Sequence, residues 1–222
     1  MIKLAIFDLD GTIVDSMPYW KNAAKDYLES INIKTDENLC EVFLSLSLPE
    51  GCKYLKDNYC SNKRVDEIAN GINNIMHNHY LKDVKIKPNM IDILKYLKDN
   101  NIDMCIASST DRYLIQECLL KQGLTEYFTY IKTSTEIGKS KQHPDIYLDC
   151  INHYNLNNDE AIIFEDLPYG IKAVKPLNIK TVGIYDETSK NHQKEMKIYS
   201  TYYFDNFEND NLEKIKKILS SK

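Results

Sequence analysis

Two kinds of apolar pattern alternate along this chain. Short, nearly unbroken apolar runs occur at residues 4–7 (LAIF), 103–107 (DMCIA), 130–133 (YIKT), 161–164 (AIIF), 181–185 (TVGIY) and 202–204 (YYF). Consecutive apolar positions over so few residues predict strands covered on both faces, which is the condition of a parallel sheet. Between the runs, apolar residues recur every three or four positions over 89–98, 112–122, 144–154 and 169–174, with Gly123 placed to stop the second of these. That spacing predicts amphipathic helices, and strand alternating with helix predicts an α/β doubly wound parallel sheet.

From residue 15 to residue 83 the pattern changes: no β-rich run interrupts what reads as helix after helix. One helix carries Met17, Trp20, Ala24, Tyr27, Leu28 and Ile31 on one stripe, with Ser16 placed to cap it and Pro18 tolerable in its first turn. A later one carries Val65, Ile68, Ala69, Ile72, Ile75 and Met76 in the same way. Such stripes build a helical bundle core. The expected division is a Rossmann-like core of residues 1–14 and 84–222 with a small α-helical domain inserted at 15–83, and hinges near Asp15 and residues 83–88.

Composition narrows the functional classes. A formal net charge of -5 offers no basic field for nucleic acid, and the lysines of the final LEKIKKIL stretch fall on the wet side of a helix whose apolar side is Leu212, Ile215, Ile218 and Leu219. Two acidic residues within the first ten positions argue against a secretory signal, and no apolar run reaches the length of a membrane span, so a cytoplasmic protein is expected. Cys40, Cys52, Cys60, Cys105, Cys118 and Cys150 form no C-x-x-C pair and read as reduced packing residues. His77 and His79, two apart on a helix, face different ways and suit no shared metal; His143, His153 and His192 read as surface or boundary residues.

The candidate chemistry collects at predicted strand ends. The first strand runs straight into Asp8, Leu9, Asp10, Gly11 and Thr12; the second ends in Ser108, Ser109 and Thr110; the fourth delivers Glu165 and Asp166. In an open parallel sheet ligands bind beyond the carboxyl ends of the strands, so these residues are expected in one crevice. The stretch GKSKQHPDIY adds a cation, Lys141 or, two residues earlier, Lys139. Its Gly-Lys-Ser triplet does not make a P-loop, because the required earlier glycine is Thr133.

Taken together and in order, these four segments resemble the motifs of the haloacid dehalogenase superfamily, over essentially the whole chain and most closely in its β-phosphoglucomutase-like branch. D-x-D-G-T at Asp8 to Thr12 resembles the first motif, and the strand ending at Ser108 the second. Lys141, with Pro144, Asp145, Ile146 and Tyr147, resembles a K-P-x-P-D-I-[FY] third motif in which Gln142 replaces the first proline. Glu165, Asp166 and Gly170 resemble the fourth. The resemblance implies Asp8 as nucleophile and Asp10 as general acid and base. It implies phosphate binding by Ser108, Ser109 and Lys141, and Mg2+ held by Asp8, the Asp10 carbonyl, Asp166 and Glu165. It implies that the inserted helices are a cap over the site, and that the activity is magnesium-dependent hydrolysis of a small phosphorylated metabolite through an aspartyl-phosphate.

Two other readings are compatible with the same motifs. A sugar-phosphate mutase would use this core but needs basic cap residues for a second phosphate; the stretch LSLSLPEGCK at 44–53 lacks them, and Trp20 stands where mutases tend to carry histidine. A non-catalytic binding or regulatory protein would have lost an acidic or lysine position, and here each is filled. Neither the substrate nor the oligomeric state is legible.

Overall fold

The computed structural model describes residues 1–44, 46–206 and 208–220; of the 44–53 stretch, Ser45 therefore lies outside the described residues. The described residues divide into two compact units, Met1–Asp15 with Lys85–Lys222, and Ser16–Val84.

The first unit is built on six strands: β1 (Leu4–Phe7), β2 (Asp103–Ser108), β3 (Tyr130–Thr133), β4 (Ala161–Glu165), β5 (Lys180–Ile184) and β6 (Tyr202–Phe204). All five pairings are parallel and the spatial order is β3-β2-β1-β4-β5-β6. The α/β doubly wound expectation is therefore met. Three strands differ in their bounds from the apolar runs: β2 continues to Ser108 and β4 to Glu165, because ladder pairing to Thr133 and Gly183 carries the backbone past the last apolar residue, while β5 starts and ends one residue earlier.

β1 is wholly buried, and strand parity decides what each face meets. Leu4 and Ile6 join Cys105, Ala107, Ala161 and Ile163 in a cluster with Ile146, Tyr147, Cys150 and Ile151 of a covering helix. On the opposite parity Phe7 stacks on Phe164 at 4.4 Å and meets Phe128 edge-on at 6.0 Å. Each fully buried aliphatic side chain stabilises such a core by about 1.5–3 kcal/mol.

The second unit holds α1 (Met17–Ser30), α2 (Leu39–Leu44), α3 (Leu48–Asn58) and α4 (Val65–Lys82). α1 buries Met17, Ala23, Ala24, Tyr27 and Leu28, and α4 buries Ile68, Ile72, Asn73, Met76 and Tyr80. Both stripes are thus turned slightly from the expected ones: Trp20 and Ile31 are half-buried, and the Trp20 indole N–H donates to the Tyr80 hydroxyl at 3.0 Å. Ser16 occupies the N-cap position of α1, yet its side chain makes no capping hydrogen bond, since its backbone is already helical.

The remaining helices belong to the sheet unit: α5 (Met90–Asp99), α6 (Arg112–Gln122), α7 (Ser134–Ile137), α8 (Asp145–His153), α9 (Pro168–Val174), α10 (Gln193–Tyr199) and α11 (Asn209–Ser220). α6 stops at Gly123 as its sequence indicates, and α11 buries Leu212, Ile215 and Leu219 with Ile218 half-buried. No described helix is long and apolar enough to cross a membrane. All six cysteines are free thiols, five of them buried. His143, His153 and His192 are exposed, while His79 stacks on Tyr19 and pairs with Asp83 at 2.8 Å.

Candidate active site

The sheet order reverses at β1: the chain moves outward through β2 and β3 on one side, then returns to lay β4, β5 and β6 on the other. Helices leave in opposite directions there and open a crevice at the strand tips. Asp8 directly follows β1 beside β4, its backbone N–H donating to the Phe164 carbonyl at 3.0 Å. The parity that points Leu4 and Ile6 toward α8 also carries Asp8 there, and the parity of Ala161 and Ile163 carries Glu165 to the same side. Asp8, Glu165 and Asp166 each offer a carboxylate oxygen within 4.8 Å of the others, and all three are buried.

Lys141 enters this group from the loop before α8. Its ammonium is 2.6 Å from Asp8 Oδ1 and 2.7 Å from Glu165 Oε1, with the side chain only 3% exposed. Lys139, the other candidate cation, instead pairs with Asp145 at 2.5 Å on the exposed surface. Proximity to the acidic cluster thus distinguishes two lysines that sequence left open.

Asp10 is set by the turn after β1. Gly11 takes φ 77°, a left-handed conformation natural for glycine, while Leu9 O accepts from the N–H groups of Ile13 and Val14. The turn brings Asp10 to the tip of β2, where the Thr110 hydroxyl donates to Asp10 Oδ2 at 2.7 Å and the Thr110 N–H donates to Ser108 Oγ at 3.1 Å. Ser108 is buried. Ser109 differs: it is exposed and its hydroxyl shares a 3.2 Å hydrogen bond with Ser134 Oγ.

Asp8, Asp10, Glu165 and Asp166 outnumber the ammonium groups near them, Lys141 and Lys87, among the described residues, so the site is electrostatically lopsided. Burial, opposed by Lys141 and reinforced by Glu165 and Asp10, pushes the Asp8 carboxyl up to about 7. Burial and the charges of Asp8, Glu165 and Asp186 hold the Asp166 carboxyl well above the usual range. Both Asp166 oxygens are buried without a hydrogen-bond partner among the described residues. An unpaired, fully buried carboxylate is costly unless a cation completes its surroundings, and an all-oxygen donor set suits a hard divalent ion. The residues present therefore fit a metal of the Mg2+ class.

Several contributors escaped the sequence reading. Tyr147, in the first turn of α8, donates its hydroxyl to Glu165 Oε1 at 2.6 Å; the aromatic position of the third motif was the available signal. The sequence places Thr110 at the end of the second strand but does not show that its hydroxyl donates to Asp10. Lys87 and Asp186 form a buried 2.7 Å ion pair at the end of β5, and Lys87 also donates to the Tyr185 carbonyl. Nothing in their sequence neighbourhood pointed to this pairing across 99 residues.

A parallel α/β sheet with an acid and lysine cluster at its switch point defines an enzyme of phosphoryl-transfer type. The chain belongs to the haloacid dehalogenase-like hydrolase family, whose family model matches residues 5–184. It is similar to a phosphorylated carbohydrates phosphatase of Thermotoga maritima, with 23% identity over 181 residues covering 82% of this chain and 84% of that protein. It is also similar to a β-phosphoglucomutase of Bacillus subtilis, with 27% identity over 190 residues covering 82% and 83%. Among solved structures, CbbY from Rhodobacter sphaeroides, crystallised with phosphate, superposes with a TM-score of 0.83 at 15% identity, covering 94% of this chain and 96% of that one. The protein is accordingly an enzyme of the phosphatase and phosphomutase branch.

Proposed function

We propose that this enzyme is a magnesium-dependent phosphatase of small phosphorylated carbohydrates, with Asp8 as the nucleophile. The observation that carries the proposal is the buried contact of the Lys141 ammonium with Asp8 at the mouth of β1, beside an Asp166 carboxylate that has no hydrogen-bond partner among the described residues. A carboxylate at a strand tip, oriented by a fixed cation, is poised for in-line attack rather than for packing.

In the proposed reaction an Asp8 oxygen attacks phosphorus while the bond from phosphorus to the leaving oxygen breaks, and Asp10 gives that oxygen a proton. Asp10, now a carboxylate held by Thr110, takes a proton from water as the water oxygen attacks the aspartyl-phosphate. Inorganic phosphate leaves and the Asp8 carboxylate is restored. Lys141 offsets charge on the phosphoryl oxygens, and Ser108 with neighbouring backbone N–H groups orients them. The Ser109 hydroxyl is already engaged, so its share is limited to its backbone. Mg2+, held by Asp8, Asp166, the Asp10 carbonyl and the Glu165 side, would supply further charge stabilisation there. Residues 15–83 are assigned as the cap that selects the substrate, with the catalytic core in 1–14 and 84–222.

Phosphate release from a panel of hexose, pentose and hexitol phosphates, with and without chelator, tests the reading. Asp8→Asn is expected to lower turnover at least about 10³-fold; retained turnover would refute the nucleophile assignment. The likeness to a β-phosphoglucomutase supports one rival, and conversion of β-glucose 1-phosphate to glucose 6-phosphate without phosphate release would establish it.

A further inference from the structure

We infer that Tyr147 is a positioning residue of the active site, acting through Glu165 on both the cation and the metal position. The inference rests on the proposed phosphatase reading for its catalytic consequence, though its first readout does not depend on that reading.

Tyr147 is fully buried in α8, and its ring belongs to the apolar cluster beneath the sheet. Its hydroxyl rises out of that cluster and donates to Glu165 Oε1 at 2.6 Å, the same oxygen that receives the Lys141 ammonium at 2.7 Å. The terminal torsion of a glutamate is broad and nearly two-fold, so one donor leaves the carboxylate free to swing. Two donors converging on a single oxygen fix its plane. Lys141 is in turn held between Glu165 and Asp8. A chain of contacts thus runs from an apolar helix face through Tyr147, Glu165 and Lys141 to Asp8.

The backbone of α9 is shaped around this hydroxyl. A Cβ at Gly170 would lie 2.3 Å from the Tyr147 hydroxyl oxygen and 3.1 Å from Glu165 Oε1. Glycine at 170 and tyrosine at 147 are therefore a matched pair. Phenylalanine at 147 would keep the ring in the cluster while removing the donor, so the hydroxyl has a task beyond packing. Partners that orient the side chains around a metal commonly change metal affinity 10- to 100-fold when removed.

The test compares wild type with Tyr147→Phe, Gly170→Ala and the double variant. Mg2+ binding is measured by calorimetry, and turnover of the best carbohydrate phosphate is measured across a Mg2+ titration. Tyr147→Phe is expected to weaken Mg2+ binding about tenfold, to raise the Mg2+ concentration for half-maximal turnover in parallel, and to leave the melting temperature nearly unchanged. Gly170→Ala is expected to do the same by displacing the hydroxyl, with little further loss when added to Tyr147→Phe. Wild-type Mg2+ affinity in Tyr147→Phe, or full additivity of the two substitutions, would overturn the inference. Should wild type bind Mg2+ yet hydrolyse no phosphomonoester, the phosphatase reading fails; a weakened Mg2+ affinity in Tyr147→Phe would still uphold the positioning role.

Discussion

The two units of this protein differ in whether they bury charge: among the described residues, the buried charged side chains lie in the sheet unit. In the helical unit Lys53 with Asp57, Arg64 with Asp66 and Lys25 with Glu29 are surface pairs with side chains 46–73% exposed, and the sheet unit has surface pairs of the same kind, Lys139 with Asp145 among them. In the sheet unit Asp8, Asp10, Lys141, Glu165 and Asp166 are all at least nine-tenths buried. Surface pairs are screened and contribute little; buried ones carry desolvation costs that only good partners offset. The difference identifies where the molecule gives up stability for chemistry, because a cluster with more carboxylates than cations is poor design for folding alone.

The largest expected effect comes from removing the ammonium that contacts both Asp8 and Glu165. Lys141→Met leaves Asp8 and Glu165 buried together without an ammonium, which costs about 3–5 kcal/mol in comparable buried pairs. Chemical denaturation would show it, and a change near zero would place the site's charge balance elsewhere.

A smaller effect of opposite sign is expected at Asp166. Its carboxylate has no hydrogen-bond partner among the described residues, so Asp166→Asn should raise the metal-free stability by about 1–3 kcal/mol while abolishing Mg2+ binding. The gain should be larger at pH 8 than at pH 5, because the carboxyl is held well above its usual range. Unfolding curves at both pH values check this; destabilisation would mean that the carboxylate is satisfied.

The pH dependence of the wild type sharpens the contrast further. Asp8 binds its proton more tightly in the folded protein, at about 7, than in the unfolded chain, at 3.8. Its relative stabilisation is therefore present below 3.8 and lost as pH rises through about 7. Divalent metal favours the ionised form, so the Mg2+-induced rise in melting temperature should be small at pH 5 and several degrees larger at pH 8, at matched Mg2+. Equal rises would sink the linkage.

The smallest effect belongs to the lysine two positions away. Lys139→Met removes an exposed partner of Asp145 and should alter neither melting temperature nor turnover, and Lys53→Ala in the helical unit should behave likewise. A loss of activity in Lys139→Met comparable to Lys141→Met would erase the distinction between the two cations.

Local sequence determined the strands, since runs such as LAIF and AIIF are too uniformly apolar to sit anywhere but between two layers, and it determined which acidic residues follow them at the strand tips. It also determined the change to helices α1 to α4, because apolar spacing there never drops to the period of a strand. Only the tertiary structure decided which lysine meets Asp8, that Thr110 reaches Asp10, that Tyr147 and Lys141 share one oxygen of Glu165, and that Lys87 finds Asp186. These are contacts between residues distant along the chain, often from different elements. Periodicity reports which way a side chain faces its own helix or sheet, whereas the partner it meets there is set by how separate elements are laid side by side.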